Sequence, residues 1–210
     1  MRIKDLRQSA TPQTFLVLCE DGTKLRAGAQ LIAQYDIAPG RELPETQWNE
    51  FLEDARRWAA RERALRIAAA TNISKKKLGR RLVEKGERPE DAEAAVAWLD
   101  ELHLLDDART GETIVHSALQ KGYGAARIRQ ILREKEIPRE YWEDLLADLP
   151  PMDGAIDALL HKKLKHQNPD QKEIQRAVDA LLRYGHTWQD IKAGLERFHA
   201  DAELEEPECQ

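Results

Sequence analysis

The chain repeats itself, and that repetition limits what it can fold into more than any single motif does. Displaced by 50 positions, Leu78 falls on Ile128, Leu82 on Leu132, Lys85 on Lys135, Val96 on Leu146 and Leu99 on Leu149. Displaced by 99, Leu82 falls on Leu181, Gly86 on Gly185, Val96 on Leu195 and Leu99 on Phe198. Matches three and four residues apart share one side of a helix. Each unit reads as a longer first helix, a short basic second helix, a turn and a third helix. The first helices are expected over 53–70, 106–121 and 153–166, and the second over 74–86, 124–136 and 170–184. The third are expected over 89–103, 138–149 and 187–199. Such units bury their apolar faces against one another. The expected fold is therefore mainly α, with tandem three-helix repeats forming an elongated curved array.

The N-terminal region differs. Phe15-Leu16-Val17-Leu18 is an apolar run, Asp21-Gly22 a hairpin-turn dipeptide, and Lys24-Leu25-Arg26 an alternation. Residues 1–44 are thus expected to hold a small β-hairpin, with helix beginning near Pro44. Repeats follow over 45–104, 105–150 and 151–199, and the acidic tail 200–210 is expected to be disordered. Ser74 and Asp106 are placed to cap helices, and Pro89 to sit in a first turn.

Charged residues make up 34% of the 210 positions and the net charge is −5, so affinity for nucleic acid must come from local patches. Residues 74–88 hold Lys75, Lys76, Lys77, Arg80, Arg81, Lys85 and Arg88 against Glu84 and Glu87. Residues 121–139 hold Lys121, Arg127, Arg129, Arg133, Lys135 and Arg139 against Glu134 and Glu136. The third helices lean acidic, as at Glu90, Asp91, Glu140 and Asp144. Such alternation either presents opposite charge on different faces or simply solubilises a helical protein. Cys19 and Cys209 form no CxxC pair, which argues against a disulfide framework or zinc site and suits a reducing cytoplasm. No stretch of 18 apolar residues exists and the first residues hold no apolar h-region, so a cytoplasmic protein without a membrane segment is expected; it is also expected to be a monomer.

Lys121-Gly122-Tyr123-Gly124 lacks the Lys-Ser/Thr ending and preceding strand of a phosphate-binding loop. It reads as an interhelix turn whose glycines allow positive φ and close packing, with Tyr123 able to touch a partner. Asp106-Asp107 reads as a helix start and not a metal pair. His161 and His166 are five residues apart, not on one helical face, and no nucleophile–base arrangement has motif context. The expectation is a non-enzyme without cofactor or metal. Trp98, Trp142 and Trp188 read as packing residues of third helices. The basic second helices are the best functional candidates. Ile128, Ile131 and Leu132 form an inward stripe on 124–136, leaving Arg127, Arg129 and Arg133 at its margins with solvated heads.

One ordered set of short motifs adds a family resemblance. It comprises Ser74 before Leu78, Leu82 and Lys85-Gly86, then Leu104-Leu105-Asp106-Asp107, and Lys121-Gly122-Tyr123-Gly124 before Ile128. Leu132 with Lys135, Lys162-Lys163 and Leu182-Arg183-Tyr184-Gly185 complete it. With these the chain resembles the RecX family, bacterial regulators of the RecA recombinase, over nearly its whole length to Phe198. It departs from the family pattern at Thr110-Gly111, where an aromatic-small pair is usual, and at Ser117, where Arg is usual. It also carries Glu136 where Lys-Gly-Ile is expected.

The resemblance implies a protein that binds the RecA–DNA filament along its groove. There it would lower ATP turnover, strand exchange and SOS co-protease activity. The residues expected to meet the RecA filament or DNA, from the basic helices together with the resemblance, are Lys76, Arg80, Arg81, Lys121, Tyr123, Arg127, Arg129, Arg133, Lys162, Lys163 and Arg183. Direct DNA contact, through the basic second helices, is expected to be weak. Two other readings stay open: a free-standing nucleic-acid-binding repeat protein, and a protein–protein adaptor unrelated to recombination. Dependence of binding on RecA separates them.

Overall fold

The computed structural model of the chain describes residues 1–164 and 169–204. They fall into two compact units, Met1–Asp106 and Asp107–Gln210. The first opens with an antiparallel sheet in the order β1 (Ile3–Gln8), β2 (Thr14–Cys19), β3 (Lys24–Gly28). The expected hairpin is its β2–β3 half: Gly22 takes φ +88°, and the Thr23 N–H donates to Asp21 Oδ1 at 2.9 Å. Strand β1 corrects the hairpin to a three-stranded sheet. Its sequence IKDLRQ holds only two apolar residues, and its pairing shifts register between Ile3 and Asp5, so no clean alternation marks it. Pairing makes it a strand: Leu6 lies opposite Val17, which lies opposite Leu25.

A short helix, α1 (Ala29–Gln34), precedes Pro44, where the sequence predicts helix to begin. The long α2 (Glu45–Ala70) contains neither Gly nor Pro. It serves two cores. Trp48, Phe51 and Ala55 pack with Ile3, Val17 and Tyr35 beside the sheet. Further along, Ala60 and Ala64 pack with Leu78, Leu82 and Leu99 from α3 (Lys75–Glu84) and α4 (Pro89–Glu101). Ser74 caps α3 as expected, its Oγ accepting the Lys77 N–H at 3.2 Å. Arg88, just before α4, binds Glu53 of α2 through two nitrogens, at 3.2 and 2.6 Å. Its Nε donates to the buried Asp91 at 2.7 Å. The Arg88 guanidinium holds the Glu53 carboxyl below the usual carboxylate range.

The second unit contains α5 (Asp107–Gln120), α6 (Ala125–Glu134), a 3-10 turn (Arg139–Tyr141), α7 (Trp142–Ala147), α8 (Asp153–Lys163), α9 (Gln171–Arg183) and α10 (Trp188–Leu204). Asp106 directly precedes α5. Gly111, one of the departures from the family pattern, sits on α5 where any Cβ would press on the Leu145 side chain of α7. Helix α10 continues into the stretch expected to be a disordered tail. Residues 205–210, with Cys209, lie outside the described residues. So do 165–168, with His166 and the end of the helix expected over 153–166.

The repeat register shows in burial. Leu78, Leu82, Ile128, Leu132 and Leu181 are all fully buried. It shows equally in how the second helices end. Gly86, Glu136 and Gly185 hold equivalent positions and have φ of +94°, +59° and +87°. In each case the next residue's N–H reaches back five positions: Glu87 to Leu82 at 3.1 Å, Ile137 to Leu132 at 3.0 Å, His186 to Leu181 at 3.2 Å. This is the Schellman closure, in which a left-handed residue lets the chain turn back on its own last carbonyls. Glu136 adopts the conformation that glycine supplies in the other two repeats.

A Cβ in the left-handed region costs about 1–2 kcal/mol, and glycine returns about 0.4–1 kcal/mol through the unfolded chain. Glu136→Gly is therefore expected to stabilise the second unit by roughly 0.5–1 kcal/mol on these scales. Gly86→Ala, where a Cβ meets no atom within 4 Å, should destabilise through backbone strain alone. Urea unfolding of both variants checks the pair, and opposite signs are the expected outcome.

Candidate functional site

The basic residues expected to meet a partner are presented in two different ways. On α3, Lys76, Arg80 and Arg81 are exposed, and Arg80 pairs with Glu84 at 3.5 Å. On α6, Arg129 and Arg133 are exposed one turn apart, and neither has an ion-pair partner among the described residues. Displaced by 50, Arg129 and Arg133 fall on Gly79 and Val83, which share the Lys76–Arg80 face at helical spacing. The same stripe on α9 is Gln175, Asp179 and Leu182, so the third repeat does not carry it. Lys162 and Lys163 are exposed in the last turn of α8.

Arg127 departs from expectation. Its guanidinium is not a freely solvated head: it lies 5.9 Å from the centre of the Tyr123 ring and 3.7 Å from Glu134. The side chain is 32% exposed. The reason is tertiary: Tyr123 is held by Tyr184 of another repeat, edge to face at 5.2 Å, and offers its ring to the cation. The tryptophans divide as well. Trp98 packs on the core of the first unit, and Trp142 donates its indole N–H to the Ile137 carbonyl at 3.0 Å. Trp188, expected to pack, is 60% exposed. It occupies the first position of α10, whose buried side begins with Ile191.

The two turns, 121–124 and 183–186, interlock. The Gly124 N–H donates to the Tyr184 carbonyl at 2.8 Å, and the Ala126 N–H to the Gly185 carbonyl at 3.2 Å. Carbonyls at the end of α9 thereby satisfy amides that open α6, bringing opposite ends of two helix dipoles together. The approach is backbone to backbone. A Cβ on Gly124 would overlap the Gly185 carbonyl, and one on Gly185 would overlap the Arg127 backbone. Gly122 supplies φ +71°. Both uses expected of the glycines, positive φ and close packing, are therefore present, on different residues.

His186 completes the junction. It is 5% exposed, and its Nε2 lies 2.9 Å from the Gly122 carbonyl. A carbonyl can only accept, so Nε2 carries the proton. Burial pushes the imidazole below its usual value, opposed by the Gly122 carbonyl and Asp190. The sequence marks neither Tyr184 nor His186 as a contact. The register match of Gly86 with Gly185 pointed to the turn, but not to what it touches. Around these turns the structure brings together Tyr123, Tyr184 and Arg127, and Lys121 and Arg183, next to them in the chain, are exposed. No group of three or more metal-binding side chains occurs among the described residues, and none of their helices is long and apolar enough to cross a membrane.

Comparisons with known proteins match this architecture. A family model described as "RecX, second three-helix domain" matches residues 106–146, the span of α5 to α7. The chain is 36% identical over 152 residues to the regulatory protein RecX of Cronobacter sakazakii, covering 65% of this chain and 90% of that one. It is 34% identical over 147 residues to that of Shigella dysenteriae, covering 62% and 86%. Among solved structures, a regulatory protein RecX superposes with a TM-score of 0.64 at 19% identity, covering 91% of this chain and 98% of that one. RecX from Lactobacillus salivarius gives 0.60 at 16% identity, covering 69% and 97%.

Gly124→Ala and Gly185→Ala should each destabilise the second unit by about 1–3 kcal/mol, the range for forcing atoms into a packed contact. Gly122→Ala, strained only in its backbone, should cost about 1–2 kcal/mol. Denaturant unfolding followed at Tyr123 and Tyr184 checks the order.

The His186 value, depressed in the folded chain, makes stability pH-dependent. Above the unfolded imidazole's value of about 6.5 its full contribution is present. As pH falls below that, the unfolded state binds the proton first and stability drops. It keeps dropping until the folded imidazole is also protonated. The urea midpoint is expected to fall between pH 7.5 and 5.5, and to fall less in His186→Gln.

Proposed function

Because the chain belongs to the RecX family, we propose that it regulates the RecA recombinase by docking on the RecA–DNA filament, without chemistry of its own. The observation that carries this reading is the exposed pair Arg129 and Arg133, one turn apart on α6 with no ion-pair partner among the described residues. Lys76 and Arg81 are likewise exposed on α3 of the first unit. Guanidinium groups not engaged internally keep their forked donors for phosphate or carboxylate oxygens. A net charge of −5 disfavours strong binding to bare DNA, so recognition draws on RecA as well as on phosphates.

A protein that binds one filament state better than another shifts the filament toward that state and needs no other mechanism. The favoured state is one with lower ATP turnover, strand exchange and SOS co-protease activity. Lys121, Tyr123 and Arg183, at the rim of the interlocked turns, and Lys162 and Lys163 on α8 extend the contact surface. Arg127 supports it by packing its guanidinium against Tyr123. The protein acts as a monomer in the cytoplasm, where the filament forms.

The test is RecA ATPase on single-stranded DNA, with wild type and with Arg129→Ala/Arg133→Ala. The wild type is expected to inhibit, and the double variant to need roughly tenfold or more protein for half-inhibition, as loss of two charge-assisted contacts implies. If the partners are DNA phosphates, the salt dependence of binding should also flatten. A wild type without effect on RecA would overturn the function. A folded double variant of full potency would move docking off α6. Equal binding to bare DNA without RecA would favour the free-standing nucleic-acid reading.

A further inference from the structure

Between α5 and α6 the second unit contains a cavity of about 240 Å³. One wall follows α5 and its end, with Thr113, Ser117 and Lys121 at successive helical turns and Ile114 and Ala118 beside them. Ile131 and Lys135, one turn apart on α6 and its end, form the other wall, and Tyr123 completes the lining. The repeat itself does not ask for polar groups here. Displaced by 50, Ser117 and Tyr123 fall on Ile67 and Ile73, which pack in the core of the first unit. An apolar side chain serves the fold at both positions.

The polar side chains of this cavity are two lysines and three hydroxyls, with no Asp or Glu among the lining residues. A lysine ammonium has three donors and no acceptor. The Thr113 hydroxyl donates to the Arg109 carbonyl at 3.0 Å. The hydroxyls of the half-buried Ser117 and Tyr123 have no hydrogen-bond partner among the described residues, and Lys121 has no ion-pair partner there. The Tyr123 ring is already held by Tyr184 at 5.2 Å and by the Arg127 guanidinium at 5.9 Å, so it loses little freedom on meeting a ligand. The ends of α5 and α6 are negative poles and oppose an anion. Their carbonyls are already engaged: the Tyr123 N–H reaches back to Ala118 at 3.1 Å, and the Ile137 N–H to Leu132 at 3.0 Å. Two full lysine charges exceed the roughly half charge at each helix end.

Two ammoniums balance a dianion. A phosphomonoester carries about −1.5 to −2 at neutral pH and has three strong acceptor oxygens, whereas a phosphodiester or a carboxylate carries a single charge. The volume lies just below that of sites for drug-sized ligands, which suits a phosphate with one small ring or chain attached. We propose that this cavity binds a small organic phosphomonoester. Lys121, Lys135, Ser117 and Tyr123 donate to the phosphate, and Ile114, Ala118 and Ile131 receive the carbon skeleton. The site shares Lys121 and Tyr123 with the contact surface proposed above, but it rests on the cavity and not on that reading.

The experiment is NMR of the full chain, without RecA or DNA, titrated with phenyl phosphate, dimethyl phosphate or sodium benzoate at pH 7.5 and matched ionic strength. Phenyl phosphate is expected to shift the amides of residues 113–123 and 131–135 saturably, in the millimolar range suited to so small a ligand. It should bind about tenfold more tightly than either monoanion, the ratio that one additional charge-assisted contact implies. In Lys121→Gln, a change at an exposed position, its affinity should fall about tenfold for the same reason. Ser117→Ile, which puts the first unit's residue into the cavity, should abolish saturable binding. No saturable shift in the wild type, or unchanged affinity in Lys121→Gln, would overturn the site. Equal binding of dimethyl phosphate would overturn it in favour of a strand-backbone contact, and equal binding of benzoate in favour of an acidic side chain. Should Ser117→Ile not fold, Lys121→Gln and the three ligands decide alone.

Discussion

The second unit depends on two stretches of backbone lying close enough that neither can carry a Cβ. Gly124 and Gly185 meet where the start of α6 receives the last carbonyls of α9. Several features follow from that contact. It supplies partners to helix-terminal amides that no side chain caps. It brings Tyr123 against Tyr184, and through Tyr123 it draws in Arg127. It puts His186 under the Gly122 carbonyl, which sets its tautomer and, by burial, lowers its proton affinity. A side chain in the contact would separate all of these at once, because backbone atoms cannot move aside as a flexible side chain can.

In the first unit a cation has the corresponding role. Arg88 joins α2 to the start of α4 by binding Glu53 and the buried Asp91 together. Within one basic segment, then, some cations are structural and others are left to face solvent. Arg88 and Lys76 are twelve positions apart and chemically alike, yet one is spent on internal carboxylates and the other is exposed. Arg127 and Arg129 repeat the contrast at a separation of two. Counting basic residues along a helix therefore overstates the surface available to a partner. What matters is whether a carboxylate or aromatic ring from another element reaches the cation first.

The helical architecture was legible because it rests on local rules repeated at a fixed interval. Leu78, Ile128 and their successors mark the buried faces, and Ser74 and Pro89 mark helix starts. Gly86 and Gly185 mark the left-handed closures, since only glycine enters that region without strain. Glu136 shows the limit of the rule: the closure forms there without glycine because the repeat geometry demands it. Strand β1 and helix α1 were not legible. Strand β1 is too polar, and helix α1 at six residues too short, to leave a periodic trace, and each exists because a neighbouring element supplies hydrogen bonds or an apolar surface.

Sequence alone determined the repeat, the helices and which stripe of each faces inward, because these follow from residue spacing and backbone preference within a few turns. It also determined the family resemblance, carried by an ordered set of short motifs. Only the tertiary structure decided that Arg127 is held against Tyr123 and Glu134 while Arg129 and Arg133 stand clear, and that Trp188 lies in solvent. It alone decided that His186, 64 positions from Gly122, closes the junction. The reason is physical. Periodicity records which side of a helix is apolar, but contacts between turns of different repeats depend on backbone approach and burial, and neither leaves a period in the chain.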